Sequence, residues 1–469
     1  MGLTTYDLPY YSELDCTAIA HAISEGEVTP AGMRSNAIAA LEQISEWRAV
    51  GGIYSDGEIN SRRGLLTGVP LLHKDGGAQV AGLPREYGSP LGQGQTCSKT
   101  GHFFQTLLEH GCEIVGRSRV PELHMSVLGD NEALGSTLNP WDPASSMGGS
   151  TAGMTALALG AIPVVHGGDS GGSLRVPASW AGCYTLKPTA RTVSASPGGT
   201  ELFGLNEIFV ATRSLRDLRL FIGILSKPAR DDLFLGRSTL PHWSSSRRRI
   251  GICESFYPNC PVHPDILATV HRFGAGAERL GFDVSIADIQ LDFEQACHAL
   301  YVAGSLDLQV MVSSLTSGGL RAVKRTCQAY IARWYEESFS ISGADIMQAV
   351  DAMGQIGRSI SRLMANYDFV VTPVTALPPP LLDSVHALGA ISGSRDLNRR
   401  FEEIVHFCAA LNMSGHPALV IPYADPELGQ PCGVQIIGRP GDDLGLLEFA
   451  ELLDRGFVKP PNHVWAGLS

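Results

Sequence analysis

SMGGSTAGMTALALGAIPVVHGGDSGGSLRVPASWAGCYTLKPT, residues 146–189, is dense in glycine, serine and small apolar residues and nearly free of charge. Two strings within it join hydroxyls to consecutive glycines, GGST at 148–151 and GGDSGGSLR at 167–175. Glycine permits tight backbone turns that bring successive N–H groups to bear on one point. A serine among such glycines is a candidate nucleophile beside a set of oxyanion donors, and either string alone is equally a glycine-rich buried loop. Between and after the two strings, 152–160 predicts a helix, 162–166 a strand and 180–187 a further buried strand.

Upstream, 15–24 reads as a helix broken by Gly26, and Thr29-Pro30 supplies an N-cap and a first-turn proline for a second helix to about Ile44. The short apolar strand 69–72 ends in His73-Lys74-Asp75 and is followed at once by Gly76-Gly77. Lysine is rarely buried unless paired or functional, and otherwise snorkels to solvent. A helix at 101–111 and a strand at 113–116 follow. Near 240 the texture changes to a polar, serine- and arginine-rich hinge. Beyond it the patterns predict strands at 250–253 and 282–286 and helices at 263–280, 291–314 and 344–365. Last come an apolar strand within 368–380, a helix at 397–411, strands at 418–423 and 432–440, and a helix at 442–453. Short apolar strands alternating with amphipathic helices imply an α/β chain, read as one sheet with a mostly helical middle rather than independent domains.

Of the 469 residues, 44% are hydrophobic and 17% charged, the balance of a well-buried globular chain. The net charge of −12, with no basic block, argues against nucleic acid as a partner. No uninterrupted run approaches the roughly 18 apolar residues of a membrane span, and the N-terminus lacks the pattern of a signal peptide. Ten scattered cysteines form no CxxC pair and no zinc-site spacing, so they read as buried thiols of a reducing, cytoplasmic protein, and no metal or cofactor is expected.

A serine nucleophile needs a base. Lys74 serves if burial lowers its pKa. GVPLLHKD at 68–75, NPWDPASSMGGSTAG at 139–153, GGDSGGSLRVPAS at 167–179 and LKPT at 186–189, in that order, resemble the amidase signature family of serine amidohydrolases. EVTPAGM at 27–33, AGLP at 81–84, PALVIP at 417–422 and GVQIIGRPGDD at 433–443 extend the resemblance over nearly the whole chain.

The resemblance implies a single α/β domain over 1–469 with a central mixed sheet flanked by helices. The signature core would lie at about 65–195 and a variable, mostly helical substrate-side insertion at about 240–367. It implies a catalytic set in which Ser173 is the nucleophile, Ser150 the cis-serine that relays the proton and Lys74 the base. Backbone N–H groups of Ser170, Gly171, Gly172 and Ser173 would form the oxyanion hole, with Thr151, Asp169 and Arg175 buttressing it. Arg85, Asn131 and Glu132 are candidate substrate contacts, with loop positions as their alternative, while Trp180 and Trp334 read as core. Three departures stand out: an interval from Ser150 to Ser173 one residue shorter than usual, Thr151 in place of a second serine, and Gly76-Gly77 after Lys74-Asp75. The implied activity is hydrolysis of a C–N bond in a small-molecule amide by water, through an acyl-enzyme. The alternatives are an ammonia-delivering glutaminase subunit of an amidotransferase and a non-catalytic homologue, and a homodimer is the candidate assembly.

Overall fold

The computed structural model describes residues 5–54, 63–194, 204–226, 249–384, 393–424 and 430–456. Its apolar runs build one mixed sheet of eleven strands. They are β1 (Val50–Ile53), β2 (Pro70–Lys74), β3 (Glu113–Ser118), β4 (Val164–Asp169), β5 (Tyr184–Lys187) and β6 (Glu207–Thr212). The others are β7 (Arg249–Ile252), β8 (Asp283–Ile286), β9 (Phe369–Pro373), β10 (Ala418–Ala424) and β11 (Pro431–Ile437). The spatial order is β1-β3-β2-β4-β6-β5-β10-β11-β9-β7-β8.

β2 runs parallel to both β3 and β4, and β7 runs parallel to both β8 and β9. From β4 through β6, β5, β10 and β11 to β9 every pairing is antiparallel. Every residue of β2, β4, β5, β6, β9 and β11 is buried, as expected of strands covered on both faces. Leu71 of β2 pairs with Val164 of β4, and Leu72 with Val165. That register brings the carboxyl ends of β2 and β4 side by side at one edge of the sheet, where ligands of open α/β sheets are bound.

Several expected boundaries shift. The strand expected at 162–166 begins at Val164 and runs on through Gly167 and Gly168 to Asp169, because β6 pairs with it residue by residue as far as Glu207. The strand expected at 180–187 is a helix, Arg175–Ala181, followed by β5. Gly182, with φ +77°, caps that helix in the left-handed conformation and ends it, so Trp180 belongs to the helix and not to the strand. β1, β6 and the helices Leu215–Leu225, Gly319–Thr326 and Ala329–Ser338 have no counterpart in the sequence reading. The middle segment is not purely an insertion, since β7 and β8 extend the main sheet while the helices Phe293–Leu315 and Gly343–Met364 stand beside it. Most of the expected polar hinge, residues 240–248, lies outside the described residues.

Candidate active site

Lys74 is the last residue of a strand buried throughout, and it is only 3% exposed. Its Nζ donates to Ser150 Oγ at 2.7 Å and more weakly to the Gly168 carbonyl at 3.5 Å. Burial pushes this lysine down to about 7, against the upward pull of the Asp169 charge. A substantial fraction is therefore neutral near pH 7, with a lone pair at Nζ. Lys74 neither snorkels nor pairs with a carboxylate at hydrogen-bonding distance; its partner is a hydroxyl.

The chain reverses after Lys74 through Gly76, with φ +84°, and Gly77, whose N–H donates to the Lys74 carbonyl at 3.2 Å. Here the two glycines have a packing reason. A Cβ on Gly77 would lie 2.5 Å from Cε1 of His166, whose ring is wedged against Phe103 and Phe104 at centroid distances of 4.9 and 4.8 Å. Gly77→Ala is expected to cost about 1–3 kcal/mol by overpacking, read as a lowered midpoint in urea unfolding.

Ser150 is carried by a loop with dense backbone support. Gly149 N–H donates to the Val127 carbonyl at 2.8 Å, Gly148 N–H to Ser146 Oγ at 2.9 Å, and Asn139 Nδ2 to the Ser146 carbonyl at 3.0 Å. The peptide between Gly149 and Ser150 is cis. Thr151 N–H donates to the Ser173 carbonyl at 3.2 Å and ties the two serine loops together. The Thr151 hydroxyl faces Gly167, where a Cβ would meet it at 2.6 Å, and has no partner among the described contacts.

Ser173 lies between β4 and the helix Arg175–Ala181, on a turn organised by one carboxylate. Asp169 accepts from the N–H groups of Gly172 at 2.8 Å and of Leu174 and Arg175 at 3.3 Å each. It also accepts from Arg175 Nε at 2.9 Å and Nη2 at 2.7 Å, and from Asn412 Nδ2 at 3.1 Å. Burial opposes ionisation, but the Arg175 charge and hydrogen bonds, with Asn412, hold this carboxyl below the usual carboxylate range. Arg175 is fully buried and reaches on to Gln435 Oε1 at 2.9 Å and Asn412 Oδ1 at 2.6 Å.

This arrangement corrects the expected donor set. Gly172 N–H is directed at Asp169 and the residue does not line the cavity, whereas Ser170, Gly171 and Ser173 do. Those three N–H groups have no partner among the described contacts.

A cavity of about 430 Å³ opens over Lys74, Ser150 and Ser173. Arg85 lines it, with its guanidinium 5.0 Å above the Tyr87 ring, while Glu86 turns away to Arg117 at 2.5 Å. Asn131 and Glu132 do not line it. Asn131 is buried in its own turn, with Nδ2 donating to the carbonyls of Gly88 at 2.8 Å and Val120 at 3.0 Å, and Glu132 is exposed. Trp180 is core, its indole N–H on Thr375 Oγ1 at 3.2 Å. Trp334 is buried too but lines the cavity, held by Ser305 Oγ at 2.8 Å.

Three further lining groups escape a reading of the sequence. His124, with φ +59°, donates from Nε2–H to the Asp75 carbonyl at 2.7 Å; burial and then the Lys74 charge hold it well below its ordinary pKa. Asn398 and Glu402 enter from the distant helix Ser394–Ser414.

The family model described as Amidase matches residues 38–447. Putative amidase AmiB2 of Mycobacterium tuberculosis is 29% identical over 403 residues, covering 83% of this chain and 82% of the relative. Indoleacetamide hydrolase of Bradyrhizobium diazoefficiens is 28% identical over 448 residues, covering 91% and 79%. The solved 6-aminohexanoate cyclic dimer hydrolase in complex with its substrate superposes with a TM-score of 0.84 at 22% identity, covering 98% of this chain and 100% of that one. At that identity the likeness is one of fold. The motif order and a family match spanning most of the sequence lead to one assignment: this chain belongs to the amidase family.

Proposed function

We propose that the protein hydrolyses the C–N bond of a small-molecule amide through an acyl-enzyme on Ser173. The observation that carries this reading is the 2.7 Å contact between a buried Lys74 and Ser150 Oγ at the floor of the cavity that Ser173 lines. Neutral Lys74 takes the Ser150 proton as Ser150 takes that of Ser173, and Ser173 Oγ attacks the amide carbonyl. The N–H groups of Ser170, Gly171 and Ser173 receive the developing oxyanion, each donor worth on the order of 2.7–4 kcal/mol. The proton then returns through Ser150 to the departing amine, and water repeats the sequence on the acyl-enzyme. None of the described hydrogen bonds joins the two serine hydroxyls, and such bonds commonly tighten only when substrate is bound.

The ten cysteines are all thiols, which suits a reducing cytoplasm, and none of the described helices is long and apolar enough to cross a membrane. A fluorophosphonate probe followed by peptide mass mapping tests the assignment. The label is expected on Ser173 and is expected to fall sharply in Lys74→Ala. An unlabelled Ser173 in folded protein, with a serine hydrolase labelling beside it, would sink the reading.

A further inference from the structure

The cavity contains a carboxyl that the chemistry at Lys74, Ser150 and Ser173 leaves unused. Glu402, on the helix Ser394–Ser414, is 6% exposed and lines the cavity. None of the described hydrogen bonds or ion pairs reaches it, and burial alone pushes it up to about 8. A buried carboxyl with no partner is costly, which calls for an explanation.

One turn earlier on the same face, Asn398 also lines the cavity. Its Nδ2 donates to the Cys297 carbonyl at 3.1 Å, which fixes the amide orientation. Asn398 Oδ1 is thus an acceptor, and no described donor meets it. Asp307 lines the cavity from the helix Phe293–Leu315. The titratable groups that feel Glu402 are Tyr257, Cys297 and Cys408. One turn on stands His406, which burial lowers to about 3. Arg85 and Asp307 act on Tyr87 instead, and no cation contributes at Glu402.

The same helix continues to the nucleophile turn. A Cβ on Gly172 would meet Cys408 at 2.8 Å, and one on Gly171 would meet Ala409 at 3.8 Å. Seven residues separate Glu402 from Ala409, on the order of 10 Å of helix, with a bend at Val405 between.

We infer that Glu402, with Asn398 Oδ1, is a specificity site for a primary alkylammonium group at the end of the substrate remote from the scissile amide, about two helical turns before the residues that pack on the nucleophile turn. An ammonium offers only N–H donors, the complement of two oxygen acceptors one turn apart. Leu300, Val310, Met311 and Phe401 form an apolar wall for the methylene spacer. A methyl-ended substrate leaves the carboxyl unpaired, and a carboxylate-ended one brings no N–H donor for Asn398 Oδ1. The proton count follows: Glu402 is neutral in the empty cavity at pH 7, and on ammonium binding it releases its proton to the buffer and forms an ion pair. Which bond is cut rests on the amidase reading; the binding itself does not.

Calorimetry on Ser173→Ala protein at pH 7, in two buffers of different ionisation enthalpy, with n-hexylamine and 1-hexanol as probes, decides it. The amine is expected to bind about tenfold or more tightly than the alcohol and to release close to one proton. Adding Glu402→Gln is expected to bring the amine down to the affinity of the alcohol and abolish proton release, with the unfolding midpoint unchanged or raised. Equal affinities in Ser173→Ala, or a preference surviving in Glu402→Gln, would overturn the assignment. Probe labelling of Ser173 is measured separately on the intact enzyme, so failure of one reading leaves the other standing.

Discussion

Replacing Lys74 by alanine is expected to lower kcat/KM for amide hydrolysis by about 10⁴-fold, the upper end of what a positioned base supplies. The variant keeps its nucleophile but has no group to take the Ser150 proton. Lys74→Arg is expected not to rescue it, because a guanidinium stays protonated at any working pH. The pH profile of the intact enzyme carries the same argument. Burial places Lys74 at about 7, so the base is protonated and idle below that pH and free above it. Thus kcat/KM is expected to fall about tenfold per pH unit below pH 7 and to level off on the alkaline side. His166 is the competing candidate, and its geometry argues against it. Its Nδ1 accepts from the Lys74 backbone N–H at 3.1 Å, away from either serine, and burial, with the charges of His73 and Lys74, holds it neutral well below its ordinary pKa. His166→Ala is therefore expected to leave the acid limb where it is and to reduce turnover far less. A loss equal to that of Lys74→Ala would show that the base has been misassigned.

The signals at Lys74, Ser150 and Ser173 are local, a lysine ending an apolar strand before a glycine turn and hydroxyls set among consecutive glycines, and it is the resemblance carried by the order of these motifs that implies a catalytic set. The direction of a single N–H group is not local in that sense. Gly172 is lost from the donor set because a carboxylate three residues earlier captures it, and nothing in GGDSGGS distinguishes Gly172 from Gly171. The cavity wall is less legible still. Glu402 and Glu403 stand side by side in the helix Ser394–Ser414, yet Glu402 alone lines the cavity over Ser173. That difference is made by the packing of this helix against the nucleophile turn, some 230 positions upstream in sequence. Asn131 misleads for the opposite reason: a polar residue in a loop near the motifs reads as a ligand contact, but its amide is occupied by two backbone carbonyls. Pattern marks many of the elements, while the wall depends on contacts between distant segments, such as that of Asn398 with the Cys297 carbonyl, 101 residues away.

Arg175→Met is expected to destabilise the fold by about 3–5 kcal/mol, since it leaves Asp169 charged and buried without its cation. Both side chains are fully buried, and the pair is doubly hydrogen-bonded at 2.7 and 2.9 Å. Met keeps much of the volume, so the loss reports the charge rather than a cavity. Asp169→Asn combined with Arg175→Met is expected to cost clearly less than the sum of the single changes, because neither partner is then left as a lone ion. Urea unfolding of the three variants measures this coupling, and an Arg175→Met loss under about 1 kcal/mol would refute it. The sign with pH is fixed by Asp169. Its carboxyl is held below its ordinary value in the folded protein, so its stabilisation is present above the unfolded value near 3.9 and is lost as pH falls toward the folded one. Without Arg175 the folded value rises, so the stabilisation shrinks and, still fading from the unfolded value near 3.9, is gone at a higher pH. The same charge reaches the active site, since Asp169 raises Lys74 against the effect of burial. Asp169→Asn is therefore expected to move the acid limb of kcat/KM below pH 7 in whatever activity remains. A limb that stays at 7 in a folded Asp169→Asn variant would mean that this carboxylate shapes the nucleophile turn without tuning the base.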